Sequence, residues 1–260
     1  MSAASSCILF LAHNTEPGAM AALAKLVDEC AAAFTIIPLF DCTKRSYPIE
    51  HIEHAQAVEC GQITRELPYP EKHRAHRGTF WPRNIDLPLL WFFQRNPGYG
   101  YYWLMEYDVR FTGHWLEFFG HFAASGSDLL ATTLFDHDFR PGWDNWRTLR
   151  SPERIPEQER VRALLSLCRL SNTGLRAVHQ AYCAGWSGHY EVAIPTILKT
   201  RGRTLEDFGG SGRYVAAGNE NRFYRNTPGV SGLAPGTFTV AANAVSDEYP
   251  PNMLWHPIKG

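Results

Sequence analysis

Cys7-Ile8-Leu9-Phe10-Leu11-Ala12, the polar turn His13-Asn14-Thr15, then Pro17-Gly18, an alanine-rich run from Ala19 to Ala33 and the apolar segment Phe34 to Phe40 form the stretch whose reading decides the fold. The first six residues are a continuous apolar run of strand length, as expected for a strand buried on both faces. Pro17 and Gly18 open a helix, and Phe34–Phe40 is a second buried strand. Strand, helix and strand at this spacing build a mainly parallel sheet. Ligands of such sheets lie at the carboxyl ends of the strands. His13, Asn14 and Asp41 fall at that rim.

Outward from this unit the signals are uneven. A polar helix is expected around Ile49 to Glu59, and the basic run Glu71 to Gly78 reads as a surface loop. Asp86 is placed to cap a helix through Phe93, which ends at Asn96-Pro97-Gly98. A strand should run from Tyr101 to about Phe111, followed by a helix from about His114 to Ala123. Asp128 to Phe135 reads as a strand, and Val161 to Leu170 is an apolar run with strand-like character near its end. Asn172 to Tyr182 and the segment from about Tyr190 to Lys199 read as helices. The last sixty residues, rich in Gly, Pro and Asn, look irregular.

The 260 residues are 45% hydrophobic and 20% charged, with a net charge of -1, which fits one domain over 1–260 and argues against a general nucleic-acid binder. A small anionic substrate held by local Arg and Lys residues is compatible with that balance. Six cysteines without a Cys-x-x-Cys pair suggest a reducing, cytoplasmic setting. No stretch approaches the ~20 apolar residues of a membrane span. Peripheral membrane association stays open.

Chemistry concentrates in Tyr101-Tyr102-Trp103-Leu104-Met105-Glu106-Tyr107-Asp108-Val109-Arg110. In an extended chain Glu106 and Asp108 point to one side, and two close carboxylates need a proton, an arginine or a metal between them. The pair suits Mg or Mn, or a structural ion pair with Arg110. Asp136-His137-Asp138 is a second polar cluster, open to a metal, a cap or a loop role. Glu191 sits in a predicted first turn, where the helix dipole favours the anion and a hydroxyl proton can be accepted; a purely stabilising role is the alternative. His256, in an apolar tail, could join Asp108 on a divalent ion with Lys259 facing a diphosphate, provided the tail folds back. Trp143 and Trp146, in a polar Pro/Gly segment, suit stacking on a sugar or base. Gly209-Gly210-Ser211-Gly212 could cradle phosphate or form a turn. No Gly-x-Ser-x-Gly elbow or His-Glu-x-x-His helix occurs.

In this order the elements resemble a GT-A fold glycosyltransferase, a user of nucleotide-diphosphate sugars. The resemblance implies an α/β, Rossmann-like, mixed and mainly parallel sheet flanked by helices. It also implies a divalent cofactor, Mn or Mg. Ile8 to Asn14 looks like the first strand and nucleotide-facing turn, which implies donor contacts from His13 and Asn14. Glu106-Tyr107-Asp108 sits where the family carries a D-x-D-type motif, here E-x-D. Asp108 and His256 are then the metal ligands, with Glu106 near the donor. In metal-free relatives basic residues hold the diphosphate, a role open to Arg110 and Lys259. Gly188-His189-Tyr190-Glu191 resembles the acceptor-side helix of inverting members. Glu191 would be the base, with His189, Tyr190, Trp143 and Trp146 toward a glycan acceptor. A metal-dependent phosphohydrolase using Glu106, Asp108, Asp136 and His137 and a non-catalytic carbohydrate binder are the rival expectations.

Overall fold

The computed structural model describes residues 5–75, 78–81, 84–226, 237–239, 244 and 249–260. The decisive stretch folds as expected: β1 (Ser6–Ala12), α1 (Pro17–Cys30) and β2 (Thr35–Asp41), with β1 and β2 parallel from Cys7↔Thr35 to Ala12↔Phe40. Pro17 stands in the first turn of α1, where its missing N–H costs nothing.

The segment around 49–59 corrects the sequence expectation. It makes turns, closed by hydrogen bonds from Ile52 N to Ile49 O and from Ala55 N to Ile52 O, and then the short strand β3 (Gln56–Val58). Pairing with β2 satisfies the edge backbone that a polar helix would leave open. α2 (Cys60–Glu66) follows. The expected basic loop is instead the short helix α3 (Pro70–Ala75), and His76 and Arg77 of that run lie outside the described residues. Lys72 turns inward and meets Asp86 in the first turn of α4 (Asp86–Arg95), Nζ to Oδ2 2.8 Å, both side chains fully buried. Asp86 is thus an internal anchor rather than a cap. Tyr182 Oη donates to the same oxygen at 2.6 Å, and Lys72 Nζ also donates to the carbonyl of Gly188 at 2.9 Å. Removing one partner strands the other charge. Lys72→Met is therefore expected to destabilise the fold by about 3–5 kcal/mol, read as a shift in the urea midpoint; an unchanged midpoint would show that the pair carries no stability.

β4 (Tyr101–Glu106) ends earlier than expected, and β5 (Arg110–Phe111) belongs to a separate two-stranded sheet. α5 (Trp115–His121), β6 (Leu129–Asp136), β7 (Val161–Ser171), α6 (Asn172–Cys183), α7 (Tyr190–Thr200), β8 (Leu205–Asp207) and β9 (Leu254–Trp255) complete the order. The fold is mixed α/β: a seven-stranded sheet, order β3-β2-β1-β4-β7-β6-β8, flanked by helices. Within this sheet β7 runs antiparallel to β4 and β6, and the other described pairings are parallel.

Strand alternation distributes the core over both faces. Cys7, Leu9, Leu11, Tyr102 and Leu104 pack with residues of α4, α6 and α7, whereas Ile8, Phe10, Ala12, Trp103 and Met105 pack with α1 and α5. Glu106 continues the parity of Tyr102 and Leu104, so its carboxylate falls on the α7 side. Among the described residues no helix is long and apolar enough to cross a membrane.

Candidate functional site

Beyond Glu106 the chain turns, and alternation no longer places Asp108. Its position comes from the tail. β9 pairs with β5 (Arg110↔Trp255, Phe111↔Leu254), and Ile258 N donates to the Asp108 carbonyl at 2.9 Å. His256 and Lys259 are thereby delivered to one carboxylate. Lys259 Nζ binds Asp108 Oδ2, and His256 Nε2 stands 3.6 Å from Oδ1. The strand tip and the tail thus meet at Asp108.

Asp108 is 2% exposed, and its Oδ1 has no hydrogen-bond partner among the described residues. His256 Nδ1 lies 3.3 Å from the Phe238 carbonyl, which only accepts, so Nδ1 carries the proton. Burial holds the imidazole pKa below its ordinary value, against the pull of Asp108. A neutral ring in this tautomer turns the Nε2 lone pair toward the lone pairs of Oδ1. Two acceptors facing each other at this separation are suited to a cation between them. The Lys259 ammonium has its pKa raised: burial acts downward, but Asp108 and Tyr107 outweigh it.

Glu106 accepts from Trp81 Nε1 at 3.0 Å, and burial followed by the Asp108 charge pushes its pKa up to about 7. His13 packs edge-on to Trp81 and Tyr107, at ring separations of 4.9 and 4.7 Å, and burial lowers its pKa. Asn14 is buried, its Oδ1 taking the Glu16 N–H in a local turn. Among the described residues Arg110 makes no salt bridge to an Asp or Glu side chain. Its guanidinium donates to the carbonyls of Tyr107, Val109, Gly18 and Gly260, tying the turn and tail to the start of α1. That engagement takes the place of the expected ion pair with Asp108 or Glu106.

Glu191 occupies the first turn of α7, and His189 Nδ1 accepts its backbone N–H at 3.3 Å as the cap. Burial pushes the Glu191 pKa up to about 8; Arg162 opposes this and Glu106 adds to it. The two glutamates therefore sense each other across the α7 side of the sheet. The preceding turn is tightly built. Gly188 has φ +136, and a Cβ there would come within 2.9 Å of the Thr148 carbonyl. His189 and Tyr190 stack at 4.9 Å, with Tyr190 buried in the core.

Trp143 and Trp146 do not present free stacking faces. Both are buried, packed edge-to-face on each other at 5.1 Å and against Val192. Trp146 Nε1 donates to the Arg140 carbonyl, and the Trp143 ring carries the buried Arg162 guanidinium at 4.6 Å. Buried in this way, their rings are not free to serve as the expected acceptor platform. The glycine loop is no phosphate cradle either: the N–H groups of Gly209 and Gly210 both bind Asp207 Oδ1 at 3.0 Å. Asp136 is engaged by Lys199, Arg213 and Tyr214 in a separate cluster. Among the described residues no three His, Cys, Asp or Glu side chains are grouped to hold a metal.

Sequence reading missed Trp81, Tyr107 and Arg162. Arg162 had a signal, a cation inside the apolar run Val161–Leu170. Trp81 had none, because it reaches Glu106 from a loop distant in sequence.

A family described as a protein of unknown function, DUF3405, matches residues 59–129, which include the Glu106–Asp108 turn. No curated protein matches the chain. Among solved structures, the crystal structure of a glycosyltransferase involved in the glycosylation of the major capsid of PBCV-1 is similar over 68% of this chain and 67% of that chain, at 10% identity and a TM-score of 0.32. A superposition at that level carries no argument about activity.

Proposed function

We propose that this chain is a GT-A-like glycosyltransferase that moves a sugar from a nucleotide-diphosphate donor to an acceptor hydroxyl with inversion. The supporting observation is the Asp108 carboxylate at the strand-end rim, one oxygen on Lys259 and the other unsatisfied and facing the His256 lone pair. An oxygen and an imidazole nitrogen suit Mn or Mg, an ion whose remaining ligands are commonly phosphate oxygens and water. Asp108 and His256 would hold such an ion, which would supply positive charge to offset that of the departing diphosphate.

The chain's own groups do the rest. Lys259 offers its ammonium to the same diphosphate, and such placed charge acts on the transition state more than on the bound donor. Glu106 presents a carboxyl to the donor sugar, and His13 and Asn14 line the nucleotide side. Glu191 takes the proton of the acceptor hydroxyl as that oxygen attacks the anomeric carbon from the face opposite the diphosphate. Arg162 keeps part of the Glu191 population ionised. Six cysteines without a Cys-x-x-Cys spacing support a reducing, cytoplasmic setting.

Incubation with labelled nucleotide sugars, with and without Mn, tests the reading. Donor turnover is expected with at least one sugar, and no binding or hydrolysis across the panel would contradict it. By calorimetry, His256→Ala should weaken binding of Mn with a nucleoside diphosphate at least tenfold. The phosphohydrolase alternative has less support, since Asp136 is committed to Lys199, Arg213 and Tyr214 away from Asp108.

A further inference from the structure

The end of β6 carries two adjoining clefts, of about 420 and 410 Å³, that share Asp136, Asp138 and Arg213. Phe139 lies parallel on Phe135, ring centroids 3.7 Å apart, and stands 36% exposed. One face of Phe139 is covered by its partner, and the partly exposed ring is part of the lining of the second cleft. Gly212 allows the neighbouring loop to approach: its φ is +108, and a Cβ there would meet the Phe135 ring at 3.2 Å. Beside the rings the polar groups are fixed in advance. Asp136 takes Arg213 Nε at 2.6 Å, Tyr214 Oη at 2.8 Å and Lys199 Nζ at 3.1 Å.

We infer that these clefts bind a neutral saccharide through the outer face of Phe139 and the Asp136–Arg213–Tyr214 group; calling it the acceptor rests on the proposed sugar transfer. An aromatic face next to oriented donors and acceptors matches the alternating apolar and hydroxylated faces of a pyranose. The charges exclude an anion as the preferred ligand. Both cations already contact Asp136, Lys199 also stands 3.9 Å from Glu159, and Asp138 and Glu157 add further carboxylates around the first cleft, so acidic groups outnumber basic ones there. Position agrees with the role. Phe135 pairs across the sheet with Arg162, which acts on Glu191, and Lys199 lies roughly two turns, about 12 Å, along α7 from Glu191.

The test is binding of the full chain to an array of neutral and acidic oligosaccharides, followed by titration of the best neutral trisaccharide. Wild-type protein should retain neutral glycans. Phe139→Ala should lose roughly tenfold in affinity, the scale of one aromatic contact, and Phe139→Tyr should retain it. Phe139 is exposed, and a thermal melt of each variant confirms the fold. No neutral glycan bound, a preference for acidic glycans, or wild-type affinity in Phe139→Ala would each overturn the inference. The array reads binding alone, so the two readings fail separately. Saccharide held through Phe139 without turnover of any nucleotide sugar leaves the cleft and removes the transferase. Turnover with an acceptor whose affinity ignores Phe139→Ala does the reverse.

Discussion

Asp108→Asn is expected to lower sugar transfer by at least about 10²–10³-fold, the usual scale for removing one placed electrostatic group from a transition state. The substitution keeps the side chain's shape but deletes the charge that faces His256 and Lys259. The fold should survive, because Lys259 is half exposed and can return to water, and because Ile258 binds the Asp108 backbone carbonyl rather than its side chain. The loss should appear in kcat with labelled donor, alongside an unchanged thermal midpoint. Full activity in this variant would remove Asp108 from the reaction.

Glu191→Gln should cost about 10²–10⁴-fold, the contribution of a positioned general base. The wild-type pH profile carries a sharper signature. Burial pushes the Glu191 pKa up to about 8, and only the ionised form accepts a proton. Activity should therefore rise with pH and level off above about 8. Arg162 pulls that pKa down, so Arg162→Met should move the rising limb to higher pH. The linkage runs the other way for stability. A carboxyl with a folded pKa above its unfolded value is best tolerated when neutral, so its penalty grows as pH rises from the ordinary glutamate range through about 8. Glu191→Gln should then gain stability over wild type in alkaline buffer while losing activity. A flat pH profile between 6 and 9, or equal losses of activity and stability, would contradict the assignment.

Much of the scaffold was legible because burial writes itself into composition. β1, β2 and β7 are apolar runs covered on both faces, and α6 and α7 start where Asn172 and Tyr190 suggest. The turn after β4 was not legible. The two-residue pairing of β5 with β9 is too short to leave a period, yet it is what carries His256 and Lys259 to Asp108. Lys72 reads as a surface charge until its partner Asp86 is known, and nothing local announces that meeting. Trp143 and Trp146 misled for the opposite reason. Their polar flanks look exposed, but the rings cover Arg162 and Val192. Local pattern reports how much of a residue is buried in its own element, whereas the site is assembled by contacts across long sequence separation.

The claim that the strand tip and tail hold a nucleoside diphosphate is tested most directly by a crystal structure with UDP and Mn. The account predicts density for an ion bound by Asp108 Oδ1 and His256 Nε2 at about 2.0–2.3 Å, on the metal–ligand scale, with diphosphate oxygens completing its shell and Lys259 against them. UDP seated elsewhere, with Asp108 and His256 still facing each other and no ion between them, would contradict it.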